Sequence, residues 1–153
     1  MMKRLTWFLA FALTFILQAT AQHTLGTQAD DIVGNYHVVQ GNDDSKVKFF
    51  KAADGTYTCQ VYYLRDIYDK NGKKILDEKN PDKSLRNIPC DQIVLIKGLK
   101  YNAAKHQWDG AKIYDPQRGL RVNVTINFTN EGRLRLHASV LGIGETIYWD
   151  KIE

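Results

Sequence analysis

The sequence is poor in several features that mark specialised protein classes. Among 153 residues there are only two cysteines and three prolines, so neither a disulfide-dense scaffold nor a proline-rich disordered chain is indicated. Charged residues make up 25% of the chain and nearly balance in sign, with a formal net charge of +4. That balance argues against a nucleic-acid partner. The length and composition are those of one globular domain.

No apolar run in the chain is long enough to suggest a membrane-spanning helix. The longest run is instead part of a pattern typical of an export signal. Lys3 and Arg4 precede thirteen mostly apolar residues, Leu5 to Leu17, and the small-residue site Ala19-Thr20-Ala21 follows. The run is too short to span a bilayer comfortably, so no transmembrane span is expected. The order basic, apolar, small is typical of a cleaved signal peptide. We therefore expect residues 1–21 to be removed near Ala21 and the mature protein to be periplasmic or extracellular.

Apolar and polar residues alternate with period two over most of the remaining chain. Residues 22–30 form a polar lead that is expected to be flexible, and 31–153 form a single domain. This period is typical of half-buried β-strands, and no amphipathic helix pattern is present. Eight strands are predicted: Asp31–Gln40, Ser45–Ala52, Gly55–Leu64, Gln92–Tyr101, His106–Tyr114, Leu120–Phe128, Leu134–Val140 and Glu145–Ile152.

Eight consecutive strands joined mainly by short turns predict an eight-stranded antiparallel up-and-down β-barrel. Closure buries the apolar face and leaves no exposed sheet edge. A β-sandwich is the alternative, because both all-β folds share this pattern. The one long connection, Arg65 to Asp91, is the best functional candidate, since loops of this length in compact domains are usually functional or disordered.

Two groups of residues together resemble a known family. The first is Asn80-Pro81-Asp82 with Leu85-Arg86, and the second is the run from Trp108-Asp109-Gly110 through Ile113-Tyr114-Asp115-Pro116 to Gly119. With Trp149 they resemble the bacterial secreted family called domain of unknown function 2147, over Ile32 to Lys151. The resemblance implies a small lipocalin-like β-barrel of the bacterial envelope and brings no assigned activity.

The chain departs from that family at several positions. The family tends to have Trp at the position of Tyr36 and Tyr at the position of Val122. It often has Gly at the position of Cys59, an apolar residue at Cys90 and Gly at Gln92. Because position 122 is a valine, any role that the family gives to an aromatic side chain there is not expected in this chain.

Cys59 and Cys90 are the only cysteines, and an exported protein can hold a disulfide. A hairpin folded about the middle of the long connection would bring them opposite each other. We therefore predict a Cys59–Cys90 disulfide, which would close a loop of about thirty residues and stabilise the fold by about 3 kcal/mol. Two buried free thiols are the alternative.

Motifs for catalysis and metal binding are missing. There is no nucleophile elbow, phosphate loop or dinucleotide fingerprint. The four histidines have no zinc-like spacing with another ligand. We expect no catalytic residue, no metal, no cofactor and no enzymatic activity.

Candidate ligand-binding residues come from the long connection and from aromatic positions of the strands. The segment Asn80-Pro81-Asp82 can cap a short helical turn, and Arg86 would project one turn later at the barrel mouth, where its guanidinium suits an anion. The alternative is that Arg86 holds the connection together by binding Asp82, Asp115 or backbone carbonyls. The full candidate set is Arg86, Asp82, Asn80, Trp108, Tyr114, Asp115, Tyr57 and Tyr63.

Three functions stay open on the sequence. The first is a non-enzymatic envelope protein that binds a small apolar or anionic amphipathic, lipid-like ligand inside the barrel. The second is a structural or interaction protein with a packed core, which contacts an envelope component through Arg121, Arg133 and Arg135. The third, ranked last, is a hydrolase-like enzyme at the mouth that uses Arg86 with Asp82 or Asp115. The oligomeric state is not predicted.

Overall fold

A computed structural model describes residues 23–141 and 143–152. The expected signal peptide lies outside these residues. Three single-turn 3₁₀ helices cover Ala29–Ile32, Lys83–Leu85 and Cys90–Gln92. The strands are β1 (Gly34–Gln40), β2 (Asp43–Lys51), β3 (Tyr57–Leu64), β4 (Val94–Asn102), β5 (Gln107–Asp115), β6 (Leu120–Phe128), β7 (Leu134–Val140) and β8 (Ile143–Ile152).

The eight strands form one closed antiparallel barrel in chain order. Each strand pairs with the next, and β8 returns to β1, where Asn35 lies opposite Ile152. The up-and-down barrel is thus confirmed, and the sandwich alternative is excluded. The period-two alternation separates the inner face of the barrel from the outer one. On β7, for example, Leu134 and Leu136 are fully buried, while the adjacent Arg133 and Arg135 are exposed.

One end of the barrel, which we call the closed end, is filled with aromatic side chains. Trp108 packs against Tyr101 and Phe128, with ring centroids 5.0 and 5.8 Å apart. Tyr36 and Phe49 meet edge to face at 5.6 Å. Aromatic pairs at these separations add stability beyond the area that they bury, so these rings form a packed aromatic core at the closed end.

The segment before β1 seals the closed end, although its composition predicted a flexible lead. The carbonyl of Ala29 accepts a hydrogen bond from the Trp108 indole at 3.0 Å, and that of Gly26 accepts one from the Tyr101 hydroxyl at 2.9 Å. Ile32 is fully buried and its carbonyl accepts from the hydroxyl of Tyr36. Buried indole and hydroxyl groups need such acceptors, which explains why a short polar segment is held here.

The long connection between β3 and β4 has structure of its own. It contains two isolated bridges, Tyr68 to Lys74 and Leu76 to Pro89, besides its two 3₁₀ turns. It also lies against the β5–β6 turn. A side chain at Gly119, whose φ is +68°, would collide with the carbonyl oxygen of Lys79. Glycine is therefore the residue that permits this contact.

The predicted disulfide is not formed in the structure, where Cys59 and Cys90 are both free thiols. Cys59 points into the core from β3 and lies opposite Ile96. Cys90 begins a 3₁₀ turn further along the connection, where its backbone N–H is bonded to the carbonyl of Ile75. The connection does not fold as a simple hairpin, so the two cysteines do not come opposite each other.

Candidate ligand cavity

The half of the barrel opposite the closed end, which we call the open end, encloses a cavity of about 790 Å³. That volume is in the range of small-molecule sites. The β1–β2, β5–β6 and β7–β8 turns and the long connection surround its mouth. Its inner wall is mostly aliphatic and is formed by Val38, Val61, Ile93, Leu95, Ile113, Val122, Ala138 and Ile147.

Side-chain size explains why this half of the barrel is hollow. An eight-stranded barrel is just wide enough for its inward side chains to fill it. The closed end uses tryptophan, tyrosine and phenylalanine for this purpose, whereas the open end presents short residues such as Val61, Val122 and Ala138. These side chains are too short to meet at the barrel axis, and space is left between them.

Trp149 marks the floor of the cavity. It lines the cavity and also packs against Phe49 of the closed end, with ring centroids 6.2 Å apart. The residue is only 3% exposed. Among the described residues its indole Nε1–H has no hydrogen-bond partner. Buried indole N–H groups are normally paired, so this donor is an exception, and its nitrogen is enclosed by protein atoms rather than exposed to the cavity.

The mouth of the cavity is strongly acidic. Lys79 and Arg118 are the two basic residues among those that line it. Seven acidic residues line it as well, namely Asp43, Asp44, Asp66, Asp77, Glu78, Asp115 and Glu145. This local excess of negative charge contrasts with the formal net charge of +4 of the whole chain.

A buried polar cluster holds the long connection to the barrel beside the mouth. The Tyr114 hydroxyl donates to Oδ1 of Asp77 at 2.7 Å, and the Asn80 amide donates to Oδ2 of the same carboxylate at 2.6 Å. Asp77 and Asn80 are each only 3% exposed. Burial and the hydrogen bond to Asp77 raise the pKa of Tyr114, in keeping with a hydroxyl that donates to a carboxylate.

Asp77 was missed among the candidate residues. The sequence shows an acidic residue in a long polar connection, and the usual expectation for such a residue is exposure to solvent. No local pattern indicates that the connection folds back onto Tyr114.

Arg86 adopts the structural role that was the alternative to anion binding. Its Nε donates to the backbone carbonyl of Asn80 at 2.7 Å, and Arg86 does not line the cavity. Asp82 caps the turn before it by accepting a hydrogen bond from the N–H of Ser84 at 2.9 Å, as predicted. Asn80 Oδ1 accepts from the N–H of Asp82, so all three candidates of this motif stabilise the connection.

The aromatic candidates are divided among three places. Tyr114 lines the cavity, as does the neighbouring Asp115. Trp108 and Tyr57 belong to the closed end, where the Tyr57 hydroxyl donates to Asp30. Tyr63 lies on the outer surface with its ring 5.1 Å from the ammonium of Lys46. The predicted set is therefore not brought together in one site.

The arrangement expected for an enzyme at the mouth is not assembled. Asp115 accepts hydrogen bonds from the backbone N–H groups of Gln117 and Arg118 and from the Arg118 guanidinium, rather than facing Arg86. Within 23–141 and 143–152, no group of three or more His, Cys, Asp or Glu side chains is placed to hold a metal ion. No helix in that part of the chain is long and apolar enough to cross a membrane.

Comparison with known proteins agrees with this architecture. Residues 34–151 match the model of the bacterial family described as "Uncharacterized protein conserved in bacteria (DUF2147)". The chain belongs to this family. The resemblance carried by the two residue groups is thus confirmed, and the description of DUF2147 names no activity.

A solved structure extends the comparison to a named fold. The chain is similar to protein HP1028 from the human pathogen Helicobacter pylori, which is described as belonging to the lipocalin family. The two are 26% identical with a TM-score of 0.61, and the match covers 80% of this chain and 83% of the other. The lipocalin-like barrel is confirmed, and lipocalin-like barrels are a ligand-binding fold. No curated protein matches the chain.

Proposed function

We propose that this member of DUF2147 binds one small, largely apolar ligand in the cavity of its open end. The observation that carries the proposal is a space of about 790 Å³ with aliphatic walls inside a closed barrel. Eight-stranded barrels of this size either fill their interior with side chains or hold one small ligand. Here side chains fill the closed end, and the open end leaves space for a ligand.

The two alternative functions have less support in the geometry. A packed interaction protein would fill its open end, and one of its proposed contact residues, Arg133, is already bonded to Asp150 at 2.6 Å. Arg121 lies over the ring of Tyr114. An enzyme would need reactive groups that face one another at the mouth, whereas Arg86, Asp82 and Asp115 are each bonded to other partners. The proposed activity is therefore binding without chemical conversion.

We also propose that the protein acts outside the cytoplasm. The support is the order of Lys3 and Arg4, the apolar run Leu5 to Leu17 and the small residues up to Ala21. Sequencing of the N-terminus of protein from the periplasmic fraction should begin near Gln22. An intact N-terminus on protein in the cytoplasmic fraction would contradict export and leave the binding proposal standing.

Binding can be tested with the neutral apolar dye N-phenyl-1-naphthylamine, whose fluorescence rises in an apolar site. We expect saturable binding of one dye molecule per protein. Purified protein that gives no saturable signal, together with a crystal structure in which the open end is filled by side chains, would overturn the proposal.

A matched pair of variants on β6 distinguishes the cavity from the outer surface. Val122→Trp puts a large side chain into the cavity, whereas Asn123→Trp puts the same side chain on the exposed face. The first should weaken dye binding by roughly tenfold, since part of the apolar contact is lost. The second should leave it unchanged. Circular dichroism and a urea titration of each variant check that both remain folded.

A further inference from the structure

We infer that the ligand carries a cationic head group, which binds at the acidic mouth while the apolar part of the ligand extends to Trp149. This inference rests on the proposed function and names the ligand class for the same cavity. It differs from the anionic ligand that the sequence suggested through Arg86. That residue is bonded to a backbone carbonyl and does not line the cavity.

The charge at the mouth is not neutralised by the protein itself. Asp44 is paired with His37 and Arg65, and Asp115 is paired with Arg118. Asp66 is paired with the same Arg65 at 3.4 Å, so one guanidinium serves both Asp44 and Asp66. Four of the seven lining acids take part in no salt bridge between described residues, namely Asp43, Asp77, Glu78 and Glu145.

These acids attract a cation and repel an anion. Of the two basic residues at the mouth, Arg118 is paired with Asp115, and Lys79 keeps its charge while it donates to the backbone carbonyl of Gln117 at 2.7 Å; the seven acids still outnumber these two. Like charges that converge on a cleft with an apolar interior raise the local concentration of counter-ions. A carboxylate or phosphate head group would have to enter this field against repulsion.

The floor of the cavity limits how far an apolar ligand can extend. The Trp149 side chain is almost fully buried and lines the cavity, yet its Nε1–H has no acceptor among the described residues. An unpaired buried donor costs stability. Because protein atoms enclose this nitrogen, a ligand that reaches the floor contacts the indole ring and not the N–H.

The distance between the two features sets the size of the ligand. Glu145 at the mouth and Trp149 at the floor lie on the same strand, β8. Four residues of extended strand span about 13 Å. A ligand that reaches both therefore resembles a decyl chain with an amine at one end. A compact cation without an apolar part would not fill the interior.

Three probes of equal chain length test the charge preference. Decylamine, decanol and decanoate are used to displace N-phenyl-1-naphthylamine from the purified protein at neutral pH. Decylamine should displace the dye at roughly tenfold lower concentration than decanoate, with decanol between them. Higher ionic strength should weaken decylamine binding and leave decanol unchanged.

A pair of variants assigns the preference to the mouth. The double variant Glu78→Gln with Glu145→Gln removes two exposed carboxylates without a salt-bridge partner, and it should weaken decylamine binding roughly three- to tenfold. The control is Glu131→Gln, which makes the same change in an exposed β6–β7 turn at the closed end. That control should bind decylamine normally, and all variants should bind decanol normally.

The outcomes separate the two proposals. If the dye and all three probes fail to bind, the proposed function itself is overturned. If the dye binds but decanoate displaces it as well as decylamine does, the cationic class is wrong and the cavity function stands. Equal decylamine affinity in the double variant and the Glu131→Gln control likewise contradicts recognition at the mouth.

Discussion

The closed end and the open end of the barrel are built on the same eight strands, yet one is solid and the other hollow. At the closed end Trp108, Tyr36 and Phe49 fill the interior. At the open end the corresponding inward positions carry residues such as Val122 and Ala138. The backbone pattern is the same at both ends, so the size of the inward side chains decides which end stabilises the fold and which end is free to bind.

Polar groups show the same division. At the closed end the donors on Trp108, Tyr101 and Tyr36 all reach backbone carbonyls of the segment before β1. Among the described residues of the open half, the enclosed Trp149 indole nitrogen has no acceptor, and the exposed Glu78 and Glu145 take part in no salt bridge. The donors of the closed end thus stabilise the fold, whereas exposed carboxylates at the mouth of the open end remain available to a ligand.

The largest expected effect is the loss of an aromatic side chain at the closed end. Trp108→Ala should lower the free energy of unfolding by about 3–5 kcal/mol, because it leaves a cavity in a packed core. Ile143→Ala at the open end should change it by less than about 0.5 kcal/mol, since that residue is 79% exposed. Urea titrations measure both, and similar losses for the two variants would contradict the division between the ends.

A smaller effect is expected where the long connection is attached. Tyr114→Phe removes the hydroxyl that donates to buried Asp77 and should cost about 1–3 kcal/mol, because the carboxylate loses a partner. Hydrogen exchange should also become faster in the connection while the closed end keeps its protection. Unchanged exchange at residues 76–89 would show that this hydrogen bond does not hold the connection.

The stability that the segment before β1 gives to the closed end should depend on pH, because the Asp31 carboxylate holds that segment in place. Burial tends to raise the pKa of this carboxyl, but the N–H groups of Gln28 and Gly26 and the ring of His23 hold it below its usual 3.8. A lowered pKa means that the carboxylate stabilises the fold above the unfolded value and that this contribution is lost as the pH falls through the folded value. Asp31→Asn should therefore lower the free energy of unfolding by about 1 kcal/mol at pH 7, because the amide is neutral and offers one acceptor oxygen where the carboxylate uses two.

Urea titrations at several pH values check this prediction. The difference between the wild type and Asp31→Asn should shrink as the pH falls below 3.8. A difference that stays constant down to strong acid would show that the carboxylate charge is not what the segment uses.

The smallest expected effect is on the reactivity of the two thiols. Cys59 lies in the packed core and Cys90 lines the cavity. Burial raises the pKa of the Cys59 thiol, and Cys59 is fully enclosed, so it should not react with maleimide until the protein unfolds. Cys90 lines the cavity and is half-buried; burial and the charges of Asp77, Asp91 and Glu78 raise the pKa of its thiol. It should react slowly, and N-phenyl-1-naphthylamine should slow it further.

Mass spectrometry of the labelled protein measures both rates. A non-reduced mass lower by two hydrogens, with neither thiol reactive after unfolding, would show that the disulfide predicted from the sequence forms after all. Equal labelling with and without the dye would place Cys90 outside the binding space.

The fold was predictable because a period-two pattern fixes which residues face inward. The run Leu120 to Phe128 forms β6 with the predicted bounds, and Leu134 to Val140 forms β7. The rim is the exception, since Leu120 is 53% exposed where the strand begins. Alternation gives the face of a residue and does not give the burial at the end of a barrel.

The site was less predictable because it depends on how the long connection packs. The Asp82 cap followed from local sequence, since capping involves residues a few positions apart. The burial of Asp77 against Tyr114 involves residues distant in the chain, and no local signal shows it. The same limit explains why the disulfide was wrongly predicted, since that prediction assumed a hairpin that the connection does not form. It also explains why Arg86 was chosen as an anion site.

The most direct test of the account uses the two indole N–H groups that mark the two ends. In an assigned ¹H–¹⁵N spectrum of the purified protein, titration with decylamine should shift the Trp149 indole resonance and saturate at one equivalent. The Trp108 indole, which is bonded to Ala29 at the closed end, should not move. If both resonances shift equally, or if only that of Trp108 moves, the ligand does not occupy the open end and the account is contradicted.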